Sequence, residues 1–116
     1  MKYVYLLGVV AILLIAGCTP TGDVVLENDL DDFAKYLTEQ GVVMVGAEWC
    51  GHCQNQKAMF GDSFQYVTFV DADLQAELAA SYGVPGYPTW ILPDGTQLIG
   101  EQSLDSLKEA SGYNEQ

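Results

Sequence analysis

Apolar residues recur along this chain in blocks whose period switches between helix and strand. Leu30, Phe33, Ala34 and Leu37 follow the spacing of one helical face. Asp29, Asp31 and Asp32 fall at the start of that helix, where negative charge suits the dipole. Gly41 stops it. Val42-Val43-Met44-Val45 is a short apolar run bounded by glycines and reads as a buried strand. A helix runs from the Cys50/Cys53 region to about Phe60, with Gly61 at its end.

Tyr66-Val67-Thr68-Phe69-Val70 is β-branched and aromatic, so a second strand is expected there. Leu74 to Tyr82 is rich in Ala, Leu and Glu and reads as a helix closed by Gly83. Thr89-Trp90-Ile91-Leu92 and Thr96-Gln97-Leu98-Ile99 flank the turn Pro93-Asp94-Gly95 and form a hairpin. Ser103 to Ala110 is a closing helix. The order is helix, strand, helix, strand, helix, strand, strand, helix. Strands alternating with helices imply parallel pairing, and the terminal hairpin adds antiparallel strands. The expected class is α/β, a central mixed sheet flanked by helices, with no internal repeat.

The N-terminus has a different pattern. Lys2 is followed by an apolar run, Tyr3 to Ala16, which fits the core of a signal peptide and is short for a membrane span. It ends Leu14-Ile15-Ala16-Gly17-Cys18, which resembles the lipobox of prokaryotic lipoproteins. That resemblance implies removal of residues 1–17 and a lipid on Cys18. Residues 18–23 contain Thr19-Pro20-Thr21-Gly22-Asp23, a tether composition that resists helix. Residues 24–116 are then one domain on the outer face of the cytoplasmic membrane or in the periplasm.

Charge narrows the partners. Among 116 residues there are 4 Lys+Arg, none of them Arg, against 16 Asp+Glu, a formal net charge of −12. Clustered cations for phosphate are absent, which argues against nucleic acid. The acidic surface favours solubility, and adaptation to a salty or acidic habitat accounts for it equally well.

The chemistry lies in Trp49-Cys50-Gly51-His52-Cys53. Two Cys three apart share one helical face. They follow a strand directly, so the first thiol meets unpaired N–H groups and the positive end of a helix dipole. Both favour thiolate over thiol. His52, as imidazolium, adds to this, and a stabilised reduced form makes the disulfide a better oxidant. Gly51 keeps the turn unencumbered. Cys53, deeper, is the resolving thiol. A purely structural disulfide here would close a very small ring and stabilise little. Structural zinc lacks ligands, because two thiolates and one His fall short of four. A copper(I) carrier using the two thiolates remains a third reading.

The motif resembles that of the thioredoxin superfamily, and its Gly-His dipeptide is the pair found in protein disulfide isomerases. Gly83-Val84-Pro85-Gly86-Tyr87-Pro88-Thr89-Trp90 resembles the family's second landmark, a cis-proline loop facing the Cys pair. The resemblance implies a thioredoxin-like fold, a cis bond before Pro88, and backbone contacts to substrate from Tyr87. It implies a thiol–disulfide oxidoreductase with no bound cofactor beyond the Cys50–Cys53 disulfide. The stretch Glu48 to Gly61 with Gly86 to Trp90 is also similar to the thioredoxin-like domains that accompany vitamin K epoxide reductase homologues. That similarity implies oxidation or isomerisation of exported proteins, with a quinone-linked membrane enzyme as partner. One departure stands out. Where thioredoxin has a buried Asp and a nearby Lys, this chain has Met44 and Phe69, which weakens the alternative of a membrane-anchored reductase, for instance in cytochrome c maturation. Glu48 is a substitute proton relay or plain surface charge.

Overall fold

The computed structural model describes residues 25–115. The signal segment, the tether, the start of the domain and Cys18 lie outside the described residues.

The element order is α1 (Val25–Glu39), β1 (Val43–Gly46), α2 (Gly51–Phe60), a 3-10 helix (Gly61–Tyr66), β2 (Thr68–Asp71), α3 (Ala76–Tyr82), β3 (Thr89–Ile91), β4 (Gln97–Ile99) and α4 (Leu104–Ser111). The strands form one mixed sheet in the order β2-β1-β3-β4. β1 is parallel to β2 and antiparallel to β3, with Met44 opposite both Phe69 and Trp90. β3 and β4 are the antiparallel hairpin. This is the α/β mixed-sheet architecture expected from the element order, and it is the thioredoxin-like fold that the motif resemblance implies.

Side-chain alternation on the central strand divides the core. Met44 belongs to the larger cluster with Phe33, Leu37, Phe60, Trp90 and Leu107. Val45, pointing the other way, joins Val70, Ala79 and Ile91. Phe60 anchors the larger cluster, its ring centre within about 6 Å of those of Phe33, Phe64 and Trp90. Among the described residues no helix is long and apolar enough to cross a membrane.

Three boundaries differ from the sequence expectation by two residues or more, each for a local reason. α1 begins at Val25, so Asp29, Asp31 and Asp32 sit beyond its first turn, and the dipole does not explain them. Asp31 instead accepts a hydrogen bond from the Ser63 hydroxyl. α3 begins at Ala76, not Leu74, because the Asp71 carboxylate takes the N–H groups of Asp73 (2.8 Å) and Leu74 (3.1 Å). An Asp holding amides two and three residues ahead makes a turn that competes with helix. β2 begins at Thr68, because Val67 N–H closes the 3-10 helix by bonding Phe64 O (2.9 Å).

Candidate active site

β1 delivers the chain to the tip of α2, and the tip carries the thiols. Cys50 is the N-cap of α2, with extended backbone (φ −81, ψ 117). Its Sγ accepts the Cys53 N–H at 3.2 Å, the bond an Asp or Ser oxygen makes at other helix starts. Sulfur replaces oxygen there, so the cap itself is the reactive atom. The Cys50 Sγ also lies 3.7 Å from Tyr87 O. Both cysteines are free thiols. Cys50 keeps 7% of its surface and Cys53 none, which separates the thiol that meets a partner from the one behind it.

Cys53 sits on the buried stripe of α2 with Gln56 and Phe60. Burial, followed by the Cys50 side-chain hydrogen bond, pushes its thiol from 9.0 up to about 12. A backbone hydrogen bond from Ala47 and the Lys57 charge oppose the rise and do not cancel it.

Tyr87 and Pro88 form the facing wall. Their peptide bond is cis, and Pro88 is fully buried. Pro88 O accepts Gly100 N–H at 2.7 Å, which ties the wall to the segment after β4. Trp49 is 68% exposed beside the motif, not part of the core. Its indole N–H donates to Asp73 Oδ2 (2.9 Å), and its ring meets that of Tyr87 edge-on at 6.1 Å. Trp90, by contrast, is wholly buried. Gly51 opens α2, and a Cβ there would meet nothing within 4 Å. Open space, not a steric demand of the turn, surrounds it.

His52 is exposed, and its Nδ1 pairs with Glu101 Oε1 at 2.7 Å. The sequence reading directs the ring's charge at Cys50; in the structure its hydrogen bond goes to Glu101. Asn55 Nδ2 supports the same oxygen at 3.1 Å. These two hydrogen bonds, His52 first, hold the Glu101 carboxyl below its ordinary range. The next residue, Gln102, is fixed by Gln56, whose Oε1 accepts Gln102 N–H (2.7 Å) and Trp90 Nε1–H (3.1 Å). Gln56 Nε2 donates to Gln102 O (2.9 Å), so the buried amide has partners at both ends.

Sequence reasoning missed Glu101, Asn55 and Gln56. Gln56 left a trace, because a polar residue on the stripe of Cys53 and Phe60 needs buried partners. Glu101 left none, being 49 residues from His52. Among the described residues no group of three or more His, Cys, Asp or Glu is placed to hold a metal ion.

Residues 24–111 match the family model described as Thioredoxin. The chain is 38% identical over 90 residues to the thiol-disulfide oxidoreductase LTO1 of Arabidopsis thaliana, covering 70% of this chain and 24% of that protein. It is 38% identical over 77 residues to protein disulfide isomerase-like 2-3 of Oryza sativa subsp. japonica, covering 59% of this chain and 18% of the other. The chain thus spans a quarter or less of the length of these two relatives. Among solved structures it is similar to a point mutant of thioredoxin from Halobacterium salinarum NRC-1, with a TM-score of 0.50 and 28% identity, covering 83% of this chain and 88% of that one.

Proposed function

The chain belongs to the thioredoxin family, and from that premise we propose that it is a thiol–disulfide oxidoreductase oxidising or isomerising disulfides in exported proteins. The observation that carries this is the inequality of the two thiols. Cys50 caps the helix beside the Tyr87 carbonyl, while Cys53 is buried and resists ionisation.

A substrate thiolate attacks Cys50 Sγ of the oxidised pair. The Cys50–Cys53 bond breaks, and Cys53 leaves and takes a proton. The substrate is now joined to Cys50 by a mixed disulfide, docked against Tyr87 and Pro88. Its second thiolate attacks the substrate sulfur of that bond, and Cys50 leaves as thiolate. The substrate has lost two electrons and the pair has gained them. No bound cofactor takes part, and Trp49, Gly51 and His52 frame the reacting sulfur.

The surroundings follow from the N-terminal pattern and from the family resemblance. Residues 1–17 are removed, Cys18 carries the lipid, and residues 18–23 hold the domain off the outer face of the cytoplasmic membrane. A quinone-linked membrane enzyme of the vitamin K epoxide reductase type takes the electrons. Similarity to relatives named thiol-disulfide oxidoreductase and protein disulfide isomerase supports the chemistry.

A Cys53→Ser variant tests the central step: its Cys50 thiolate is expected to attack substrate disulfides and form mixed disulfides detectable in cells, and the absence of any Cys50-dependent adduct overturns the assignment. The reduction potential tests direction. A value near about −180 mV or above supports oxidation or isomerisation, and one near about −270 mV supports a reductase. Mass spectrometry of the native protein tests the anchor, which an intact Met1 overturns.

A further inference from the structure

The surroundings of the Cys53 sulfur differ from those of Cys50. At the end of β1, a Cβ built on Gly46 would lie 2.9 Å from Cys53 Sγ and 3.0 Å from Phe69 Cε2. Sulfur and ring edge therefore both press onto a backbone that has no side chain. Phe69 reaches this place from β2, backed edge-on by Phe64 at 5.8 Å. The ring also carries a cation: Lys57 Nζ lies 4.0 Å from its centre and donates to Glu48 Oε1 at 2.7 Å.

The titratable groups on the surrounding elements are few. Cys50 and Lys57 flank Cys53 on α2, and His52 at the exposed start of that helix is paired with Glu101. Glu48 follows β1 and is engaged with Lys57. Asp71 ends β2, and its carboxylate is occupied by the Asp73 and Leu74 N–H groups. Among the described residues no carboxylate or amine hydrogen-bonds the Cys53 sulfur.

We propose that Phe69 is a specificity-determining residue: packed with the Cys53 sulfur against Gly46, it keeps water and the Lys57–Glu48 pair off that sulfur, so a mixed disulfide on Cys50 is resolved by the substrate's own thiol and not by Cys53. This rests on the thiol–disulfide activity proposed above and decides its outcome. Escape requires Cys53 to give its proton to solvent and attack Cys50 Sγ. The bond from Cys50 to substrate then breaks, the Cys50–Cys53 disulfide forms, and the substrate leaves reduced as a thiolate. Resolution by the substrate needs no proton from Cys53. A second substrate thiolate attacks the substrate sulfur, and Cys50 departs as thiolate. Neither route needs an outside oxidant or reductant. With the Cys53 thiol pushed up to about 12, on the order of one molecule in 100,000 has it ionised at pH 7. By microscopic reversibility the same seal makes Cys53 a poor leaving group when the oxidised pair is opened. Phe69 thus governs the lifetime and fate of the intermediate and leaves the equilibrium of the pair largely alone.

The test follows a glutathione mixed disulfide formed by mixing the reduced full chain with oxidised glutathione. Its decay by Cys53 attack is timed against pH for wild type, Phe69→Ala and Phe69→Leu. Release is expected to be at least tenfold faster at pH 7 in Phe69→Ala, with its pH dependence displaced toward neutrality and Phe69→Leu between the two. An unchanged rate and pH profile in a folded Phe69→Ala protein overturns the proposal while the Cys50 chemistry stands. Should Phe69→Ala not fold, the milder Phe69→Leu decides: an unchanged profile overturns the proposal and a shifted one supports it. No adduct on Cys50 in any variant overturns the oxidoreductase assignment, and this proposal with it.

Discussion

Glu101 accepts a hydrogen bond from His52 Nδ1 at 2.7 Å, joining an exposed residue of the Cys motif to a segment 49 residues away. An ionised carboxylate is acceptor-only, so the proton of this bond sits on Nδ1 and Nε2 faces away from Glu101. The backbone on either side of Glu101 is tied down, Gln102 by its hydrogen bonds with Gln56 and Gly100 by its bond to Pro88 O. Motif, cis-proline wall and the segment after β4 are one connected frame.

The pairing sets a pH window. The Glu101 carboxyl lies below its ordinary range because His52, then Asn55, hydrogen-bonds the ionised form. A carboxyl depressed in the folded state stabilises the fold above its unfolded pKa, and that contribution fades as pH falls through the folded value. Glu101→Gln is therefore expected to lower Tm at pH 7 by about 2 °C, a small effect suited to an exposed pair. The difference is expected to vanish well below the usual carboxylate range. Thermal melts of both proteins across that interval check it, and a difference unchanged in acid contradicts it.

Cys53 carries the opposite sign. Its thiol is raised from 9.0 to about 12 by burial and by the Cys50 hydrogen bond. A group raised in the folded state contributes stability that is complete below the unfolded pKa and is lost as pH climbs through the folded one. Reduced protein is expected to lose Tm progressively between pH 9 and 12 relative to oxidised protein, which has no thiol there to ionise. Paired melts of the two redox forms measure this. Parallel curves over the whole interval would remove the buried-thiol argument.

Gln56 is the structural hinge of the frame. It is wholly buried and serves Trp90 Nε1 and both backbone groups of Gln102. Gln56→Leu fills the space but strands those three groups, and Gln56→Ala adds a cavity. Losses of about 2–4 kcal/mol are expected, with Ala the larger. Urea denaturation gives the values.

The legible parts of this molecule are those written in local pattern. Spacing of Phe33, Ala34 and Leu37, the glycine-bounded run at Val42 and the Pro93-Asp94-Gly95 turn yield the element order, and the Cys pair opening a helix follows from it. What stays hidden is set by partners. Asp71 shortens α3 by capturing two amides, a competition propensity does not register. Glu101 reaches His52 only because the sheet and the Gln56 bonds bring two distant segments together. Gln56 is half-visible: its stripe position is plain, but its three partners depend on the tertiary fold.

Two glycines of the site give a paired test of steric need. Gly51 has open space around its missing Cβ and a backbone compatible with helix, so Gly51→Ala restricts the unfolded chain at no folded-state cost. A gain of about 0.4–1 kcal/mol is expected. Gly46 is the reverse. Its Cβ would stand 2.9 Å from Cys53 Sγ and 3.0 Å from Phe69 Cε2, closer than packed atoms tolerate. The closer of the two contacts is with the sulfur, so the packing of Cys53 and Phe69 against the strand must shift, and Gly46→Ala is expected to cost about 1–3 kcal/mol. Loosened packing around Cys53 favours its attack, so release of a Cys50 mixed disulfide is expected to quicken more in Gly46→Ala than in Gly51→Ala, whose Cβ stands clear of Cys53. Denaturation and release kinetics on the two variants separate these outcomes. Equal behaviour of the two would mean that the contact of Gly46 with sulfur and ring has no bearing on Cys53.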